Sequence, residues 1–176
     1  ALQGHVDLLD GAGLRIDAID ISELALRNLC ALLPPETNGM AVVYLGARQG
    51  LMAFFREETL YLSRTIPRGL ADLNPGAGPG GADTLGTDEF LTLELQRSID
   101  YYESHFGMPR LARVVVLPET PATGELAAFV AEQTGIETGH FSPEEGLVWP
   151  RPDDTPPPAP CYLAIGGALR HWNAQR

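Results

Sequence analysis

The chain has 176 residues, 44% of them apolar, and a net charge of −11. That length holds one domain with a full core, or one domain and a small lobe. The acidic balance argues against nonspecific nucleic-acid binding, which neutralises phosphates with Lys and Arg, and no apolar run approaches the roughly 20 residues of a membrane span.

Residues 2 to 12 read as a helix closed by Gly11-Ala12-Gly13. Leu14 to Ile21 alternates apolar and polar residues and predicts a strand. Ser22 suits an N-cap, and Leu26, Leu29, Cys30 and Leu33 follow at helical spacing until Pro34-Pro35 stops them. Met40–Leu45 is a continuous apolar run. A turn at Gly46–Gly50 leads to a second strand, Leu51–Phe55. Arg56-Glu57-Glu58 turns into a third, Leu60–Ile66. Two tight connections make these three an antiparallel meander.

Residues 67 to 86 form a loop rich in Gly and Pro, with flexibility expected at its centre. Thr87 opens the longest helix, with Asp88 and Glu89 at its positive end. Leu91, Leu95, Ile99, Tyr102 and Phe106 share one face, and Gly107 closes it. Arg113–Leu117 is a short apolar strand, Thr123–Gln133 a helix stopped by Gly135, and Ile136–Phe141 another short strand. A second flexible loop covers 142 to 160. Cys161–Ile165 reads as a last strand, Gly166-Gly167 as a tight turn and Ala168–Gln175 as a terminal helix. Three antiparallel strands feeding alternating helices and parallel strands, with right-handed crossovers, is the ribonuclease H-like α/β arrangement: a mixed sheet with helices on both faces.

The sequence offers little catalytic chemistry. It has no Gly-x-Ser-x-Gly, and His5, His105, His140 and His171 lie far apart. Cys30 and Cys161 have no zinc spacing and read as small core residues, in keeping with a reduced cytoplasmic setting. All 12 basic residues are Arg, a pattern that codon bias explains. The acidic pairs Asp17/Asp20, Glu57/Glu58, Glu144/Glu145 and Asp153/Asp154 fall largely on turns and loops. A metal nuclease of this fold needs converging carboxylates, and Met40–Leu45 carries none. The glycine-rich stretch 76–81 follows no strand and lacks the Lys-Ser/Thr ending of a P-loop. Gly166 and Gly167, at an expected strand-to-helix turn, are better placed to offer backbone N–H groups to an anion. The first residues, Ala1–His5, lack the basic and apolar regions of a signal peptide, and the chain does not open on Met, so an excised piece of something longer is expected.

Several stretches in order carry a resemblance. They are Ala12-Gly13-Leu14 before a strand ending at Asp20; Glu23 to Leu29; Leu60 to Gly69; Leu93 to Ser104, with the string Gln96-Arg97-Ser98-Ile99-Asp100-Tyr101-Tyr102-Glu103-Ser104; and Leu163 to Arg170. Together they resemble the C-terminal half of the PilM family of type IV pilus-assembly proteins and, more closely, the MshI family of MSHA pilus biogenesis. The resemblance implies an actin-like fold, related to FtsA and the cytoplasmic part of GspL, in which two ribonuclease H-like lobes flank a nucleotide cleft. On this reading residues 1–33 are the end of the first lobe and the crossover helix, and 34–176 the second lobe. The first phosphate loop would lie upstream.

The departures from the family pattern set the functional expectation. Where actin-like ATPases carry Asp-x-Gly at the first hairpin of this lobe, the chain reads Tyr44-Leu45-Gly46. A tyrosine cannot stand in for a carboxylate at neutral pH. The adenosine loop, commonly Gly-Gly, reads Pro118-Glu119, which loses an N–H donor and adds negative charge. The resemblance therefore implies a non-catalytic cytoplasmic scaffold at the inner-membrane platform of a pilus machine. It would be peripheral to the membrane through a PilN-like partner, with no cofactor. The alternative is an actin-like ATPase using ATP and magnesium, whose other motifs lie outside these residues.

Overall fold

The computed structural model describes residues 2–34, 36–73, 86–141, 147 and 161–170. Among the described residues eleven segments of regular structure follow in order. Helix α1 is Leu2–Gly11 and α2 is Ser22–Cys30; strands β1, β2 and β3 are Met40–Leu45, Gly50–Arg56 and Thr59–Ile66. A single 3₁₀ turn at Leu70–Asp72 precedes α3, Thr87–Phe106. Then come β4, Arg113–Leu117; α4, Pro121–Thr134; β5, Glu137–His140; and α5, Tyr162–Ala168.

The five strands form one sheet in the order β3-β2-β1-β4-β5. β1–β2 and β2–β3 pair antiparallel, whereas β1–β4 and β4–β5 pair parallel. This is the mixed ribonuclease H-like sheet that the meander followed by alternating helices and strands predicts. The apolar runs are continuous because both faces are covered. Ala41, Val43 and Leu45 of β1, Met52 and Phe54 of β2, and Val114 and Val116 of β4 pack under α3 and α4 with Leu91, Leu95, Tyr102, Leu126 and Val130. The alternate residues, Met40, Val42 and Tyr44, with Leu51, Ala53, Phe55, Val115 and Leu117, pack under α2 and α5 with Leu26, Leu29, Cys30 and Tyr162. The two-residue period of a strand thus sorts one uninterrupted apolar string into two cores.

Local chemistry fixes the ends of the helices. The Glu89 carboxylate accepts from the Gly86 N–H at 3.3 Å at the start of α3. At α4, Pro121 opens the helix after Thr120, whose hydroxyl accepts from the Thr123 N–H (3.2 Å), while the Thr123 hydroxyl accepts from the Thr120 N–H (2.9 Å). Gly107 and Gly135 close α3 and α4 in the left-handed conformation, φ 63° in each case.

Three expectations are corrected. Leu14–Ile21 is no strand: its alternation is present, but no described strand pairs with it. Leu14, Ile19 and Ile21 are more than half exposed. A strand exists only with a ladder partner, and alternation alone supplies none. Cys161–Ile165 is likewise not a strand. Tyr162 to Ala168 is helical, with Gly166 and Gly167 inside the helix rather than at a turn. The reason is packing: α5 lies against α2, and Gly166 is the crossing point, where an added Cβ would overlap the Ala25 carbonyl oxygen and sit 2.6 Å from its carbonyl carbon. The fully buried Asn28 of α2 donates from Nδ2 to the Gly166 carbonyl at 3.1 Å, tying the two helices together. The third correction concerns Ser22, which is the first helical residue; Ile21 takes the N-cap position without a side-chain cap.

Residues 74–85, the centre of the first expected loop, lie outside the described residues, as do most of 142–160 and the last part of the expected terminal helix. Among the described residues no helix is long and apolar enough to cross a membrane.

Candidate functional site

Parallel strands β1 and β4 end side by side, with Tyr44 registered against Leu117. The β1–β2 turn, the end of β3 and the start of α2 meet near this carboxyl-terminal edge of the sheet. In open α/β sheets this edge is where ligands bind. A cavity of about 490 Å³ opens here, lined by Ser22 and Glu23 of α2, Tyr44 and Gly46 to Leu51 of the hairpin, Thr65 of β3 and Leu163 of α5.

Backbone hydrogen bonds brace the wall of this cavity. The segment after β3 folds back onto the β1–β2 turn: the Leu70 N–H donates to the Gly46 carbonyl (2.8 Å) and the Ala71 N–H to the Ala47 carbonyl (3.0 Å). Gly69 makes that approach possible. A Cβ on it would lie 2.6 Å from both the Arg48 nitrogen and the Gly46 oxygen. The Asp72 carboxylate holds the Gly69 N–H at 2.8 Å, closing the 3₁₀ turn. Within the hairpin the Gly46 N–H donates to the Gln49 carbonyl at 2.9 Å.

Tyr44 lines the cavity from the α2/α5 face, only 8% exposed. Burial, and secondarily the Cys161 thiol, push its phenol above the ordinary range, so it is neutral at neutral pH. The charged members of the lining are Glu23 and Arg48, one of each sign. This chemistry suits polar recognition with hydroxyls (Ser22, Tyr44, Thr65) above a partly apolar floor.

The sequence-predicted positions separate. Tyr44 and Gly46 come together in the cavity, with Leu45 buried beneath on the opposite face. Pro118 and Glu119 follow β4 on the same edge but, among the described residues, stand outside this lining; the Pro118 carbonyl instead accepts from the Thr123 hydroxyl at 2.7 Å. Gly166 and Gly167 do not present a free turn, because beyond the first four N–H groups a helix uses its own donors. The cavity recruits Ser22, Glu23, Arg48, Thr65 and Leu163, none of which the sequence reading selected. Arg48 had a local signal, a charged residue in a tight strand-to-strand turn. The other four become visible only once α2, β3 and α5 are placed.

His140 sits near the same edge. Its Nδ1 lies 2.9 Å from the Val116 carbonyl oxygen, while Nε2 is buried without a partner among the described residues. Also among the described residues, no group of three or more His, Cys, Asp or Glu side chains is placed to hold a metal ion.

No protein-family model matches the chain, and no curated protein matches it. Solved structures do. One is a PilM-PilN type IV pilus biogenesis complex, 19% identical over 97% of this chain and 57% of that chain, with a TM-score of 0.68. Another is the ethanolamine utilization protein EutJ from Carboxydothermus hydrogenoformans, 15% identical over 95% of this chain and 60% of that one, with a TM-score of 0.55. The chain therefore spans about three fifths of the length of these structures. At such identities the likeness is one of fold, in keeping with the ribonuclease H-like mixed sheet described above.

Proposed function

We propose that this chain belongs to a non-catalytic scaffold of a type IV pilus biogenesis platform, of the MSHA type, that holds a PilN-like membrane partner and binds no nucleotide. The observation that carries the reading is Tyr44. In a fold similar to that of PilM, a buried neutral phenol occupies the end of β1, where a magnesium nucleotide would need a carboxylate. Glu23 in the same lining adds negative charge toward which a polyphosphate would have to move. The residues present therefore fit a magnesium nucleotide poorly. The likeness to a PilM-PilN complex supports the partner by analogy, and with it a cytoplasmic place peripheral to the inner membrane.

The 490 Å³ cavity beside Tyr44 favours a second reading, an actin-like ATPase that takes its remaining ligands from residues beyond these. Cell fractionation tests the scaffold reading. The full-length protein is expected in the membrane fraction when its partner is intact and in the soluble fraction when the partner's cytoplasmic tail is deleted. Membrane association that survives the deletion overturns it.

A further inference from the structure

Helix α2 begins at the cavity beside Tyr44, with Ser22 and Glu23 in the lining. The N–H groups of these two residues have no acceptor among the described residues, whereas those of Leu24 and Ala25 turn back to the Ile21 carbonyl. Ile21, in the N-cap position, supplies no side-chain oxygen to them. The start of α2 therefore keeps free donors and the positive end of its dipole beside the cavity.

Tyr44 is an independent pointer to a ligand. It is only 8% exposed and lines the cavity, yet its hydroxyl makes no hydrogen bond to any described residue. That oxygen is not sealed in: the buried side-chain polar atoms without a partner among the described residues belong to Thr92, Tyr102, Arg113 and His140. A side chain this deeply buried, with its hydroxyl open to a cavity and unmatched by the protein, is placed to meet a group from outside.

The charges of the lining narrow the ligand. Glu23 and Arg48 are one of each sign, and no ion pair joins them to each other or to another described residue. A polyphosphate meets Glu23 as repulsion. A molecule that carries both a cation and a carboxylate satisfies Glu23 with the first, and Arg48 and the helix start with the second. Leu51 and Leu163 offer apolar surface to the rest of it, and a cavity of about 490 Å³ lies in the size range of small-molecule sites.

We propose that this cavity binds a free α-amino acid as its zwitterion. The carboxylate accepts from the Ser22 and Glu23 N–H groups, the Tyr44 hydroxyl and Arg48. The ammonium donates to the Glu23 carboxylate, and an apolar side chain rests on Leu51 and Leu163. The inference rests on the reading that no nucleotide occupies the cavity.

The test is calorimetric titration of the full-length protein with L-leucine, beside isocaproate, which lacks the amine, and isoamylamine, which lacks the carboxylate. Leucine is expected to bind at least about tenfold more tightly than either, and to shift the amide resonances of Ser22, Glu23 and Arg48. Glu23→Gln is expected to lose about tenfold toward leucine and little toward isocaproate. Arg48→Gln is expected to lose about tenfold toward leucine and little toward isoamylamine, and both variants to keep their melting temperature. Tyr44→Phe removes only the hydroxyl and is expected to weaken leucine and isocaproate alike, by about fivefold. Equal binding of leucine and isocaproate overturns the proposal, as does leucine binding that survives both charge variants. A parallel titration with magnesium ATP separates the two readings. Silence from both leucine and ATP overturns the proposal and leaves the scaffold reading standing. Binding of ATP without leucine overturns both, and leucine binding that ATP displaces supports the amino-acid site while overturning the absence of a nucleotide.

Discussion

Gly166 is the position at which the packing of this fold can be tested most sharply. Replacing it with Ala puts a methyl group 2.6 Å from the Ala25 carbonyl carbon and on top of the carbonyl oxygen. Carbon atoms in contact sit about 3.5 Å apart or more, so α2 and α5 must separate by about 1 Å. Separation on that scale takes the Asn28 Nδ2 bond to the Gly166 carbonyl, now 3.1 Å, out of range and leaves a fully buried amide short of an acceptor. Overpacking costs about 1–3 kcal/mol and the lost bond about 1–3 kcal/mol, offset by about 1 kcal/mol of helix propensity. The net expectation is a loss of about 3 kcal/mol, or a fall of about 6–12 °C in melting temperature for a chain of this size. Gly167→Ala is the internal control. Nothing lies within 4 Å of its added Cβ, so it keeps only the propensity term and gains about 0.5–1 kcal/mol. Urea denaturation followed by circular dichroism reads both. A Gly166→Ala protein as stable as the unsubstituted chain refutes the helix crossing, and with it the placement of α5 beside the cavity.

Further outcomes follow from the same packing. Gly69→Ala drives the 3₁₀ turn off the β1–β2 hairpin, costing about 1–3 kcal/mol and shifting the amide resonances of Gly46 to Arg48; unchanged amides there would refute the close approach. Asn28→Ala removes the buried tie to α5 at a cost of about 1–3 kcal/mol, read in the same denaturation assay. Burial pushes the Cys30 thiol up to about 12, partly countered by Arg113, so Cys30 resists alkylation at mildly alkaline pH until the protein unfolds, whereas half-buried Cys161 reacts; mass spectrometry of the modified peptides distinguishes them. The same shift has a pH consequence. The folded thiol holds its proton where the unfolded one, near pH 9, has begun to lose it. Stability from this group is therefore full below pH 9 and declines as pH rises toward 12, and a Cys30→Ala variant is expected to lack that part of the alkaline decline.

The strands and long helices were legible in the sequence because they rest on local signals. Met40–Leu45, Arg113–Leu117 and Thr87–Phe106 carry apolar runs or periodicity with clear punctuation, and the structure places their ends at the same residues. Where the deciding force is tertiary, the sequence misled. Leu163-Ala164-Ile165 before two glycines reads as a strand and turn. The glycines are instead a helix surface cut back to admit α2, and no local pattern distinguishes the two uses. Leu14–Ile21 has a strand's alternation without a strand's partner. At the candidate site, Tyr44 and Gly46 could be picked out because a departure from a family pattern falls on them. Ser22, Glu23, Thr65 and Leu163 could not, since they reach the cavity from three elements distant in sequence.

The central proposal, that the protein holds a protein partner and not a nucleotide, is tested most directly by calorimetric titration of the full-length protein with magnesium ATP and, separately, with the synthetic cytoplasmic tail of the proposed PilN-like partner. The account predicts heat of binding from the tail and none from the nucleotide. Micromolar binding of ATP would contradict it and would show that Tyr44 and Glu23 do not bar a polyphosphate from the cavity.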